Sequence, residues 1–74
     1  MRLTHKFLNE YFDEHIKPIA PLLELATIQL TYAVKLREPD KSGYRMIVFK
    51  NGPKEIYAWM RGFEDSYYYM RGKL

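Results

Sequence analysis

The segment TIQLTYAVKLR, residues 27–37, decides the fold class because large apolar side chains alternate along it with small or polar ones. A two-residue period is typical of a strand with one buried face. The apolar members are β-branched, aliphatic or aromatic, which favours a strand; they are Ile28, Leu30, Tyr32, Val34 and Leu36. The pattern predicts a first β-strand over these residues.

The residues after this segment predict a hairpin. The run EPDKSG, residues 38–43, is rich in turn-forming residues and leads into YRMIVFK, residues 44–50, a second strand. We expect the two strands to pair antiparallel. The second strand is apolar at both parities, so either both of its faces are covered or one face is a contact surface.

Helical patterns flank the predicted hairpin. Residues 3–19 carry apolar side chains at helical spacing, Thr4 is a candidate N-cap, and Pro18 predicts an end near Lys17. After NGP, Pro53 suits the first position of a second helix. One side of this helix is apolar, at Ile56, Trp59, Met60, Phe63, Tyr67 and Met70. The segment LLELA, residues 22–26, fits a helical turn, an early extension of the strand or a covering loop.

These elements predict one small α+β domain over residues 1–74, in the order α-β-β-α, with two helices packed on an antiparallel hairpin. A chain of 74 residues has a thin core, since it buries only about 60% of its unfolded surface. It contains no cysteine, so disulfides cannot support the fold. Self-association is the support that remains, and we expect a homodimer; extension of the hairpin into a larger sheet is one way in which two copies can pair.

Three surfaces are candidates for this dimer: the second helix, the first helix and the strand edges. The apolar arc of the first helix is wide, about 220° at about 100° per residue, so it is covered by the second helix and the PIAPLLEL segment or by a second copy. On the second helix, Ala58, Gly62 and Ser66 form a stripe of small residues that permits close approach of another backbone. The alternative is that Gly62 is a tolerated surface glycine.

The second helix also carries candidate contacts for a protein partner. Tyrosine and arginine are the residue types that most often anchor interfaces. The candidates are Tyr57, Arg61, Tyr68 and Tyr69. The alternative is that some of these tyrosines cap the edge of the core and hold their hydroxyls in water.

Binding of DNA or RNA is the alternative function. The hairpin region is basic, so its lysine and arginine side chains are candidate contacts for phosphates. The aromatic rings of Tyr44 and Phe49 lie among these residues in the sequence and are candidates for stacking on bases. The basic residues are Lys35, Arg37, Lys41, Arg45, Lys50 and Lys54. Lysine and arginine on a strand edge also prevent unwanted edge pairing, which is the plainer interpretation.

The chain contains no sequence motif of a known catalytic or phosphate-binding site, and we expect neither an enzyme nor a bound metal or cofactor. His5 and His15 fall on different faces of the first helix, so they do not form a metal pair. We expect His15 to be a core or interface histidine with a hydrogen-bonded partner. The net charge of +3 and the absence of a long apolar run predict a soluble, cytoplasmic protein without a membrane partner.

The segment PKEIYAWMRGFEDSYYY, residues 53–69, is similar to the C-terminal helices of short accessory proteins of bacteriophages and other mobile elements. The similarity lies in the acidic residue, the tryptophan and the RGFE step, and it covers about a quarter of the chain. It implies stoichiometric binding to a macromolecule of the host or the phage. Together with the interface-type side chains, it predicts a small, non-catalytic regulatory protein that acts on a protein partner.

Overall fold

A computed structural model describes residues 2–28, 31–37 and 42–72, and these form a small α+β domain of helices packed on an antiparallel sheet. This is the fold class that the sequence predicts. Helix α1 spans His5–Tyr11 and continues directly as a π-helical segment over Phe12–Ile16. The strands are β1 (Leu23–Ile28), β2 (Thr31–Arg37) and β3 (Tyr44–Val48), and helix α2 spans Pro53–Gly72.

The strand predicted over residues 27–37 is wrong at its start, because two strands share that sequence. Ile28 ends β1 and pairs with Thr31, the first residue of β2, so the chain reverses direction between them. Of the alternatives for residues 22–26, the strand is right in conformation from Leu23 onward, but these residues form the separate strand β1 rather than an extension of the predicted one. The reversal escapes sequence analysis because no glycine, proline or asparagine marks it.

The predicted antiparallel hairpin is confirmed as β2 and β3, and β2 lies in the middle of the sheet. The register places Leu25 opposite Val34 and Val34 opposite Ile47, so these three side chains share one face of the sheet. Strand β3 ends at Val48, and Phe49 after it is buried in the core. Both helices pack on this face, and we call the opposite one the outer face.

The ends of the helices follow local rules. The Thr4 hydroxyl accepts a hydrogen bond from the Phe7 backbone N–H at 3.1 Å, which confirms the predicted N-cap. The last turn widens, with the Lys17 N–H bonded to the Phe12 carbonyl at 2.9 Å, and the helix ends before Pro18, which has no N–H to continue it. Helix α2 begins at Pro53 as predicted, after Gly52 at φ 72°.

The core lies between the helices and the inner face of the sheet. The helices and the sheet all contribute fully buried side chains, so no two elements form the core alone. These side chains include Leu8, Phe12, Ile16, Val34, Ile56 and Met60. Leu23 and Phe49 belong to the same cluster. The fully buried positions of α2 lie in its first half, and in its second half Phe63 packs against the core while remaining partly exposed.

Candidate protein-interaction surface

The boundary between α1 and α2 is formed by aromatic rings. The Tyr57 ring lies 5.8 Å from the Phe7 ring and 5.4 Å from the Tyr11 ring, measured between centroids. Both rings of the first helix belong to its wide apolar arc, so α2 covers part of that arc within one chain. Tyr57 is half-buried as a result.

A carboxylate on α2 joins this boundary to the π-helical segment. The Tyr11 hydroxyl donates to Glu64 Oε2 at 2.5 Å, and Glu64 Oε1 lies 3.1 Å from His15 Nδ1. The Tyr11 and His15 rings stack with centroids 4.3 Å apart. His15 therefore has the hydrogen-bonded partner predicted for it, although its side chain is exposed rather than in the core.

The pKa values of this network favour the protonation states that the hydrogen bonds need. Burial and the hydrogen bond to the Glu64 carboxylate raise the pKa of Tyr11 to about 12, so its hydroxyl remains a donor. The Tyr11 hydroxyl, with a smaller contribution from His15, lowers the pKa of Glu64, so its carboxylate remains an acceptor. The network thus fastens α2 to the first helix.

Replacing Glu64 by glutamine tests this attachment. The lowered pKa means that the ionised carboxylate stabilises the fold fully above its unfolded pKa of about 4.3, and that this stabilisation is lost as the pH falls through the folded pKa. We expect Glu64→Gln to lower the free energy of unfolding by about 1–2 kcal/mol at pH 7 and by less at pH 3. Urea unfolding at both pH values measures this, and an equal deficit at both would contradict the assignment.

Helix α2 extends beyond the core. Its 20 residues span about 30 Å, whereas the 7 residues of β2 span about 23 Å. The side of α2 that faces the core continues from Met60 through Phe63 and Tyr67 to Met70. Met60 is fully buried and Met70 is 62% exposed, so this side becomes solvent-exposed toward the end of the helix.

The exposed end of this side forms a groove. One depression is lined by Phe63, Ser66, Tyr67, Met70 and Arg71. A second depression shares Phe63 and lies against Leu36 and residues 19–23. We call the two together the α2 groove. Leu22 at its wall is 43% exposed, and Arg71 Nη1 donates to the Tyr67 hydroxyl at 2.9 Å, so a guanidinium lies at one end of an apolar surface.

The predicted protein-binding residues fall into two places. Tyr57 and Arg61 lie at the α1 boundary, where Arg61 Nη1 donates to the Tyr57 hydroxyl at 3.1 Å. Tyr68 and Tyr69 are 56% and 62% exposed near the α2 groove. Sequence analysis assigned Tyr67 and Met70 to the core side of the helix and did not single out Leu22. Length gave no signal, because the strand predicted over residues 27–37 would span about 36 Å, which is longer than the helix.

The predicted dimer stripe is exposed. Ala58, Gly62 and Ser66 all lie on the surface of α2. A Cβ added at Gly62 would meet nothing within 4 Å, so the first helix of the same chain does not occupy the stripe at that position. The stripe stays a predicted contact for a second copy.

The predicted nucleic-acid residues do not form one surface. Lys35 and Arg37 lie on the outer face, where Lys35 Nζ is 5.6 Å from the centroid of the Tyr44 ring and Glu24 is the cross-strand partner of Lys35. Arg45 has the opposite parity on β3 and points to the other face. The remaining members are Lys50 after β3, Lys54 in the first turn of α2, and Lys41, which lies outside the described residues.

The described part of the chain contains neither a cluster of metal-ligating side chains nor a membrane-spanning helix. No group of three or more histidine, aspartate or glutamate side chains is arranged there to hold a metal ion. Neither helix, over its described residues, combines the length and apolar composition that a membrane-spanning segment needs.

The similarity of residues 53–69 to accessory proteins of mobile elements rests on the sequence alone, and α2 carries all of those residues. Comparisons with protein-family models, with curated proteins and with solved structures found no match.

Proposed function

We propose that this chain is a small, non-catalytic regulatory protein that binds a protein partner through the α2 groove. One observation carries the proposal: the side of α2 that faces the core continues past the core and exposes Met70. The resemblance to accessory proteins of phages and mobile elements supports stoichiometric binding as the mode of action.

The energetics of this end of α2 favour a contact surface. Large apolar side chains that face water contribute little to folding, and clustered exposure of this kind marks binding sites. Leu22 and Met70 are exposed on the two sides of Phe63. Burying such side chains against a partner gains about 25 cal/mol per Å² of apolar surface. Tyr68 and Tyr69 flank the groove and add rings with polar tips, as at interface rims and anchors.

The chemistry of the groove selects the partner. Its walls are apolar, so it suits leucine-like or aromatic side chains from one face of a helix or from an extended segment. Arg71 lies at its end and has further N–H donors beyond the bond to Tyr67. The net charge of +3 also favours an acidic partner. The occupant that we propose is an apolar protein segment that carries a carboxylate near one end.

A matched pair of methionine substitutions tests this function. Met70→Lys places a charge in the groove, and Met46→Lys is the control because it makes the same change on the outer face of β3. We expect nuclease-treated extract to yield a protein that wild type and Met46→Lys enrich and that Met70→Lys loses. The purified candidate should then bind wild type directly in a titration and bind Met70→Lys at least about tenfold more weakly.

Two outcomes would contradict the proposal. The first is that no purified candidate binds wild type, or that every candidate binds Met70→Lys equally well. The second is that the enriched material disappears after nuclease treatment and that the chain shifts labelled DNA or RNA at low salt but not at high salt. That result would favour the basic residues of the outer face, Lys35 and Arg37, as the functional site.

A further inference from the structure

Strand β3 lies at the edge of the sheet and carries few of the features that usually protect an edge. Among the described residues it pairs with β2 alone. Its register with β2 runs without a bulge from Tyr44 to Val48, and the strand contains one charge, Arg45, and no proline. Soluble proteins usually block such edges with charges, prolines or bulges, because an open edge pairs with another strand.

The direction of the backbone groups on this edge follows from one hydrogen bond. The Phe49 N–H donates to the Tyr32 carbonyl at 2.8 Å, so Phe49 and Tyr32 form a hydrogen-bonded pair. Because such pairs alternate in an antiparallel ladder, Ile47 and Arg45 also direct their backbone groups toward β2. The N–H and C=O groups of Tyr44, Met46 and Val48 therefore point to the open edge.

The same residues form an apolar row on the outer face. Tyr44, Met46 and Val48 are 52%, 47% and 50% exposed, whereas Ile47 between them packs against the core. The exposed side chains and the backbone groups that point to the open edge belong to the same residues, because residues of one parity share both a face and a hydrogen-bonding direction. A strand added to this edge would thus satisfy the backbone groups and cover the apolar row together.

We propose that two copies of this chain pair through their β3 strands, antiparallel about a two-fold axis at Met46, and join their three-stranded sheets into one continuous sheet. Met46 then pairs with the partner's Met46, and Tyr44 pairs with the partner's Val48. All of the residues whose backbone groups point to the open edge find partners in this register. A two-fold axis perpendicular to the sheet also keeps the helices of both copies on the same side.

The side chains of β3 select a second copy as the occupant. In this register the apolar row of one strand lies beside the same row of the other, so each copy covers the side chains that the other exposes. Arg45 falls opposite the partner's Ile47, which keeps the two arginines from facing each other. A shift of the axis to Arg45 would place them directly opposite, which is unfavourable. The strand is therefore complementary to itself with the axis at Met46.

This inference is independent of the α2 groove, and the same substitutions separate the two. Sedimentation velocity over a range of concentrations should show a reversible monomer–dimer equilibrium for wild type, since an interface of this size is small. Met46→Lys places two ammonium groups at the axis and should weaken the dimer at least about tenfold. Met70→Lys, the control on the groove, should dimerise as wild type does.

A proline at the same position tests the backbone part of the proposal. Met46→Pro removes an N–H that points to the open edge and none that bonds β2, so the monomer should keep its sheet while the dimer weakens. Hydrogen exchange of wild type needs no substitution: the amides of Tyr44, Met46 and Val48 should exchange more slowly as the concentration rises. Three results would each overturn the proposal. The first is that wild type stays monomeric, and the second is that both substitutions leave the dimer intact. The third is that the exchange rates of the edge amides do not depend on concentration.

Discussion

Replacing Phe12 by alanine is expected to lower the free energy of unfolding by about 3–5 kcal/mol. Phe12 is 1% exposed and belongs to the core cluster, so its removal leaves a cavity between the first helix and the sheet. A domain of this size has a stability of only about 5–15 kcal/mol. The variant should therefore be largely unfolded at temperatures that wild type tolerates.

Met70→Ala is the matched control for this prediction. It also removes a large apolar side chain, but from a position that is 62% exposed. We expect a change of less than about 0.5 kcal/mol, as for most surface substitutions. Thermal and urea unfolding followed by circular dichroism measure both variants. A loss of several kcal/mol in Met70→Ala would show that the end of α2 serves folding, and the α2 groove would lose its basis.

Alanine substitutions at Tyr57 and Tyr68 are also expected to differ in how far they lower the free energy of unfolding. The sequence presents both tyrosines as candidate partner contacts. Tyr57 packs on Phe7 and Tyr11, so Tyr57→Ala should cost about 2–3 kcal/mol, somewhat less than a fully buried aromatic residue. Tyr68 is 56% exposed and its ring contacts Tyr67 on the same helix, so Tyr68→Ala should cost less than about 0.5 kcal/mol.

Tyr57→Phe separates packing from hydrogen bonding at this position. It keeps the ring and removes the hydroxyl that accepts from Arg61, an exposed bond that contributes little. Its unfolding should resemble that of wild type. If Tyr57→Ala were as stable as Tyr68→Ala, Tyr57 would not fasten the two helices and would return to the set of free partner contacts.

The local signals in the sequence predicted the positions where helices begin and end. Thr4 caps the first helix, Pro18 follows its last turn, and Pro53 begins α2, because each acts through its own backbone or a hydrogen bond to a near neighbour. The alternation over β2 and the turn-forming residues after it predicted the hairpin. No local signal marked the reversal after Ile28, so β1 was joined to β2 in the prediction.

The candidate sites are formed by residues that are far apart in the sequence, so no local pattern reveals them. The Tyr11–Glu64 hydrogen bond joins residues 53 positions apart, and the sequence presents Glu64 only as a member of a polar helix side. Met60 and Met70 belong to the same side of α2 in the sequence, yet the first is fully buried and the second is 62% exposed. Helix α2 is longer than the strands that it packs on, and the length of those strands was not known until β1 was separated from β2.

The sequence by itself determined the helices, the hairpin and the class of fold, because these follow from preferences that act over a few residues. Only the tertiary structure decided which apolar side chains are covered and which meet water. That choice depends on the relative lengths of α2 and the strands and on which strand lies at the edge. Burial is a property of neighbouring elements, so the groove and the open edge of β3 emerge only when those elements are packed together.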